Sequence, residues 1–146
     1  MAQVWVHNGY DIDDDPRRVD LDALWSFLGT EAYWGRWRTR QDVEHELAAA
    51  WRVVGVYTEA GEMVGFARAV SDGSGFGYLA DVYVLSEHRG RGLGKALLEE
   101  MIDNGPGASF RWLLFTKDAH DLYRKFGFSE PGPTVMERPS PRPAPA

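Results

Sequence analysis

Apolar and polar positions alternate between two periods along the chain. Val4, Trp5 and Val6, continuing through Tyr10 and Ile12 into an acidic cluster, read as a first strand followed by a turn. From Asp20 to about Glu31 the residues Leu21, Leu24, Trp25, Phe27 and Leu28 recur at helical spacing, with Asp20 placed to cap the free amides. A second helix is expected to begin at Thr39 and to carry Val43, Leu47 and Ala50 on one face. The period then shortens. Val53–Tyr57, Met63–Val70 and Tyr78–Val84 are β-rich runs separated by the turn sequences Glu59–Glu62 and Ser71–Gly75, which predicts an antiparallel meander of three strands.

Leu93, Leu97, Leu98, Met101 and Ile102 mark a further helix, stopped by Asn104-Gly105-Pro106-Gly107, and Trp112–Phe115 reads as a short buried strand. Ala119, Leu122, Tyr123 and Phe126 give a last amphipathic helix ended by Gly127, and Thr134–Met136 is a candidate final edge strand. The pattern shows no internal repeat and a single domain over residues 1–138. Residues 139–146, PSPRPAPA, lack most backbone donors and are expected to be a loose tail.

Composition narrows the possibilities. A chain of 146 residues with 44% hydrophobic and 26% charged residues is globular, and at this mass about two-thirds of the unfolded surface is buried without a staple. The net charge of -6 argues against nucleic acid and anionic membrane as partners. The absence of cysteine excludes disulfides, thiolate metal sites and a cysteine nucleophile. The N-terminal stretch has no basic-then-apolar leader and no run is long enough to span a bilayer, so a cytoplasmic location is expected. Asp11, Asp13 and Asp15 are spaced like the start of a calcium loop, but Pro16 stands where the sharp turn needs glycine, and the four histidines are isolated; no metal is expected.

One segment reverses the local sign of charge. His88-Arg89-Gly90-Arg91-Gly92-Leu93-Gly94-Lys95 holds three fixed positive charges and no acid in an acidic protein. Small residues allow close backbone approach, and the helix start behind them supplies unpaired amides, so the chemistry that fits is a phosphate group. The spelling departs from both familiar phosphate loops. Gly90 and Gly94 enclose three residues rather than four, with Ala96 after Lys95, and only Leu93 separates Gly92 from Gly94, after antiparallel strands, which is not the dinucleotide fingerprint.

The pattern Arg/Gln-x-x-Gly-x-Gly/Ala is met by Arg89, Gly92 and Gly94. Together with Asp81-Val82-Tyr83-Val84 and the later Leu122-Tyr123-Arg124-Lys125-Phe126-Gly127-Phe128, it resembles the GNAT superfamily of N-acetyltransferases over roughly residues 45 to 130. The resemblance implies an α/β fold: a mixed, largely antiparallel twisted sheet flanked by about four helices. It implies acetyl-coenzyme A as co-substrate, with the amides of Arg89, Gly90, Arg91, Gly92, Leu93 and Gly94 on its pyrophosphate. Val82, Tyr83 and Val84 would bind the pantetheine arm as an added strand, and the Val84 amide would donate to the thioester oxygen. Ser86 replaces a frequent proline, and Thr116 replaces an asparagine that often contacts the arm, though its hydroxyl retains one bond to offer.

The same resemblance gives Tyr123 the role of acid toward the departing thiolate; the alternative is that it fills the apolar stripe of its helix. Asp81 falls where the family often has a base, with a salt bridge to Arg68 or simple attraction of a cationic amine as the alternatives. His120 is a rival titrating group. Trp34 and Arg36 lie in Tyr33–Arg40, where the family walls its acceptor pocket; core packing of the tryptophans is the competing reading. Lys95 reaches either a phosphate or Glu99 four residues on. With no cysteine to carry an acyl group, direct attack by a primary amine of a small metabolite is expected. A non-catalytic acyl-coenzyme A binding module and a protein acetyltransferase are the alternatives, and a homodimer is a candidate assembly because the family commonly forms one.

Overall fold

The computed structural model describes residues 2–32 and 38–142. Among these described residues six strands form one sheet in sequence order: β1 (Val4–His7), β2 (Tyr10–Asp13), β3 (Arg52–Tyr57), β4 (Met63–Ser71), β5 (Phe76–Val84) and β6 (Arg111–Leu113). Neighbours are antiparallel through β5, and β6 joins β5 in parallel. This is the mixed, largely antiparallel α/β sheet expected, with four α-helices among the described residues: α1 (Leu21–Leu28), α2 (Arg40–Ala49), α3 (Leu93–Leu98) and α4 (His120–Arg124).

The two helices before the meander start where their caps dictate. Asp20 accepts from the Ala23 amide at 3.1 Å, and Thr39 and Asp42 form a reciprocal capping box. Together α1 and α2 cover one face of the sheet, enclosing Leu24, Leu28, Val43, Phe66 and Tyr83, while α3 and α4 cover the other over Ile12, Val54, Leu79, Leu97, Met101 and Tyr123.

Several boundaries differ from the sequence reading. The single first strand is a hairpin, because Asn8 (φ 50°) and Gly9 (φ 82°) form the two-residue turn whose twist matches antiparallel strands. The third helix is α-helical only to Leu98 and widens into a π turn over Glu99–Asp103. Buried Arg52 accounts for this, since its Nη1 donates to the carbonyls of Glu100 (2.8 Å) and Met101 (2.9 Å) and draws them off the regular ladder. The last helix is shorter than expected, with a Schellman end in which Phe128 donates to Tyr123 O and Gly127, at φ 87°, donates to Arg124 O. No strand forms at Thr134–Met136; Pro131 and Pro133 remove donors just ahead of it, and Met136 is 95% exposed. Beyond it Arg142 Nη2 donates to Asp42 at 3.1 Å.

Two irregularities in β5 shape everything around it. Against β4, Arg68 faces Ala80 and Phe66 faces Tyr83, so two steps on one strand meet three on the other, a bulge centred on Asp81 at φ 57°. The extra residue reverses the alternation: Leu79 packs under α3, whereas Tyr83 packs under α1, its ring stacked on Phe27 at 3.9 Å. Against β6, pairing runs only from Phe76↔Arg111 through Tyr78↔Leu113. Gly77 permits it, since a Cβ there would stand 2.7 Å from the Trp112 ring. Leu114 and Phe115, expected to continue the strand, leave the ladder, and the sheet opens between β5 and β6.

Candidate active site

The open end of the split holds a cavity of about 300 Å³ walled by β5 from Tyr78 to Val82, by Leu114–Thr116, and by Arg38, Arg68 and Tyr123. A larger hollow of about 640 Å³ lies past the outer edge of β6 under the segment after α4. The smaller one is the candidate site, because of these two it is the one that reaches the unpaired edge of β5.

That edge offers backbone groups. The Leu85 amide turns inward to Val64 O at 2.8 Å, so strand alternation turns the Val84 amide to the split. Val84 O accepts from Arg89 Nε at 2.9 Å on that same side, fastening the strand end to the loop that follows.

The loop turns its amides out. Gly90 and Gly92 have φ 79° and 75°, which places them in the region where glycine is at ease. A Cβ at Gly90 or Gly94 would meet nothing within 4 Å, so a ligand can lie on the backbone there. None of the amides from Gly90 to Lys95 has a partner among the described residues, the first helical bond being Ala96 to Gly92 O at 3.0 Å. Behind it, the β1–β2 hairpin acts as a clamp. Asn8 Nδ2 donates to Arg91 O at 3.1 Å, with His7 Nε2 3.2 Å from that oxygen, and Arg91 Nη1 donates to the Tyr10 hydroxyl, which bonds His88 Nδ1, both at 2.7 Å. Gly92 is confined by the same hairpin, a Cβ there lying 3.3 Å from His7 Nε2. An array of outward amides at a helix start, with fixed positive charge beside it, fits a pyrophosphate, and the β5 edge fits an extended amide-bearing arm.

The other predicted residues fall as follows. Tyr123 lies on α4, 8% exposed, its ring edge-on to Phe128 at 5.8 Å, and lines the cavity. Thr116 also lines it, its Oγ1 accepting from the Ala119 amide at 3.1 Å as a brace for α4. Val82, two residues before Val84, turns its main chain to the edge, whereas Tyr83 turns its main chain to Phe66 of β4 and its ring is committed to Phe27, so the expected contribution of Tyr83 to the arm is not met. Lys95 is exposed, its Nζ 3.9 Å from Glu99. His120 is exposed and lines the outer hollow, away from the split. Trp34 and Arg36 lie outside the described residues.

Asp81 is 6% exposed and meets Arg68, the ion pair weighed above, together with a second arginine. Arg38 grips it through both oxygens (2.8 and 3.0 Å), and Arg68 Nε donates to Oδ2 at 3.0 Å. Glu46 bonds the far side of Arg38 at 2.6 Å. Burial disfavours the aspartate's charge, but the two guanidiniums outweigh it and hold the carboxyl below the usual carboxylate range. Burial also raises Tyr78, keeping its phenol neutral. The acidic turn is likewise consumed by arginine: Arg18 Nη1 bonds Asp11 and Asp13, while Asp15 caps the next turn and pairs with Arg17.

Sequence reasoning missed the clamp and the joint role of Arg38, Glu46 and Arg68. Asn8-Gly9, a hairpin signal, pointed to the first; no local signal marks the second.

The sheet parts between β5 and β6, and Arg89 ties the glycine–arginine loop to the end of β5, the arrangement that the resemblance to acetyl-coenzyme A-dependent transferases implies. Comparison with known proteins agrees: residues 50–130 match the Acetyltransferase (GNAT) domain, and the chain belongs to that family, whose members generally use acetyl-coenzyme A. It is 36% identical over 110 residues to the acetyltransferase-like protein FG08082 of Gibberella zeae, covering 73% of this chain but 60%, less than two thirds, of that protein. A crystallographically solved GNAT-family protein of Xanthomonas campestris superposes with TM-score 0.86 at 32% identity, over 93% of this chain and 96% of that one. A Deinococcus radiodurans structure at TM-score 0.70 and 22% identity, covering 94% of each chain, shares the fold. Among the described residues no helix is long and apolar enough to cross a membrane.

Proposed function

We propose that the protein is an N-acetyltransferase that moves acetyl from acetyl-coenzyme A to a primary amine of a small metabolite by direct attack within a ternary complex. The observation that carries this reading is the split between β5 and β6, which opens beside a loop of unpartnered amides. The fungal and Xanthomonas relatives support the transfer chemistry. The 300 Å³ cavity supports a small acceptor.

Acetyl-coenzyme A supplies an acyl carbon already activated as a thioester. The loop from Arg89 to Gly94, with Lys95, holds the pyrophosphate, and the edge of β5 with Thr116 aligns the arm. The Val84 amide faces the acyl oxygen and stabilises the charge that develops there. As the nitrogen–carbon bond forms and the carbon–sulfur bond breaks, the amine's proton passes to water at the cavity mouth and Tyr123 gives its phenolic proton to the sulfur. Asp81, held ionised by two arginines, is a weak base; its place here is to anchor those guanidiniums against the acceptor. The products are an amide and free coenzyme A thiol.

Thiol release from acetyl-coenzyme A over a panel of small amines tests the reading, with product masses raised by one acetyl group as the expected result. Coenzyme A binding without thiol release points to a sensing module. Activity confined to peptides points to a protein acetyltransferase.

A further inference from the structure

We infer that the amine acceptor carries an anionic group, and that Arg68 is the residue that selects for it; this rests on the acetyl-transfer reading above. Within the buried cluster the guanidiniums are used unequally. Arg38 spends its terminal nitrogens on Asp81 and Glu46. Arg68 spends only Nε, on Asp81 Oδ2 at 3.0 Å. Its side chain is 11% exposed, and no hydrogen bond from Nη1 or Nη2 is made among the described residues. Arg68 is part of the wall of the cavity in the split.

The unused edge of a mostly buried guanidinium beside a cavity is open to an oxygen acceptor, from water or from an anionic ligand. The planar fork matches two oxygens of one carboxylate or phosphate, and the Asp81 bond prevents the fork from turning away. The rest of the wall agrees. The Tyr78 phenol is held neutral by burial, so it donates to an anion without repelling it. The Phe115 ring stands edge-on to it at 6.0 Å and gives the ligand an apolar contact. Asp81 and Glu46 are neutralised by Arg38 and Arg68, and the remaining carboxylate on the wall, Asp118, is exposed at the rim, where it suits the cationic end of an incoming amine. A space of about 300 Å³, on the order of ten waters, matches an amino acid or a phosphorylated amine of that size.

The test compares paired amines that differ in the anion alone: phenylalanine with phenethylamine, lysine with cadaverine, and phosphoethanolamine with ethanolamine. Thiol release is measured with saturating acetyl-coenzyme A, and coenzyme A binding is measured separately by calorimetry. The wild type is expected to favour the anionic member of at least one pair by about tenfold or more in kcat/KM. Preference within the first two pairs assigns a carboxylate and preference within the third assigns a phosphate. Arg68→Gln keeps a donor for Asp81, which Arg38 still holds, and is expected to bring the ratio close to one with coenzyme A affinity retained. Arg68→Lys is expected to recover part of the preference, which loss of folding would not allow. If coenzyme A fails to bind the wild type, the acetyl-transfer reading falls first. If it binds, and the pairs turn over equally, or no anionic amine shows saturable binding or turnover, or Arg68→Gln leaves the ratio intact, the assignment of Arg68 is overturned.

Discussion

Under the proposed function the cleft has a donor side and an acceptor side, and they are built by opposite routes. The donor side is nearly one continuous stretch, the end of β5 from Val82 and the loop to Lys95, steadied from behind by His7–Tyr10. What it offers is main chain, so glycines and conformation matter more there than side-chain identity. The acceptor side is assembled from Arg38, Glu46, Arg68 and Asp81, drawn from a loop, a helix and two strands. Its groups are charged side chains, with Arg38 and Asp81 deeply buried and Glu46 27% exposed. A contiguous backbone cradle is suited to a constant co-substrate, while a convergent set of charges sets what else enters.

The sharpest way to break the contrast is Gly92→Glu. A side chain there would need φ 75° and would press on His7, and its charge would oppose a diphosphate. Coenzyme A affinity is expected to fall at least about 100-fold, with the rest of the sheet still folded by circular dichroism. Normal affinity would remove the donor side from the account.

Next in size is Asp81→Asn, which tests the acceptor side. Asparagine tolerates positive φ, so the bulge is kept while the charge is lost. Leaving Arg68 and part of Arg38 buried without their counter-charge is expected to lower stability by about 3 kcal/mol in denaturant titration. The aspartate's folded pKa lies below its unfolded value of about 3.9. Its contribution is therefore complete at neutral pH and is lost as pH drops below about 4, so the variant should also show a flatter acid limb. An unchanged stability profile would mean that the pair carries little weight.

Tyr123→Phe probes the place where the two sides meet. The ring contact with Phe128 survives, so stability should change little, while kcat falls by about tenfold or more and coenzyme A affinity holds. Equal loss in both would mark Tyr123 as packing alone. The smallest effect is expected from Tyr10→Phe, which removes the hydroxyl between Arg91 and His88. About 1 kcal/mol of stability and a few-fold of coenzyme A affinity should go with it, leaving selectivity among amines unchanged.

Legibility followed the same division. The meander, the caps at Asp20 and Thr39 and the glycine–arginine loop were readable because each is encoded by neighbours: alternation, a capping oxygen, small residues before a helix. Where a distant residue intervened, local reading failed. Arg52 widened the end of the third helix by taking two of its carbonyls. Asn8-Gly9 was a local signal passed over, and it hid the clamp behind the loop.

What the chain's order of residues determined by itself was the fold class and the glycine–arginine loop, since short-range propensity and backbone freedom act between adjacent residues. Tertiary structure decided the bulge at Asp81, which turns Leu79 and Tyr83 to opposite faces, and the parting of β5 from β6 after Tyr78. It also decided the meeting of Arg38, Arg68 and Asp81, residues separated by up to 43 positions. Charges that far apart come within 3.0 Å only when packing has already chosen which strands lie side by side.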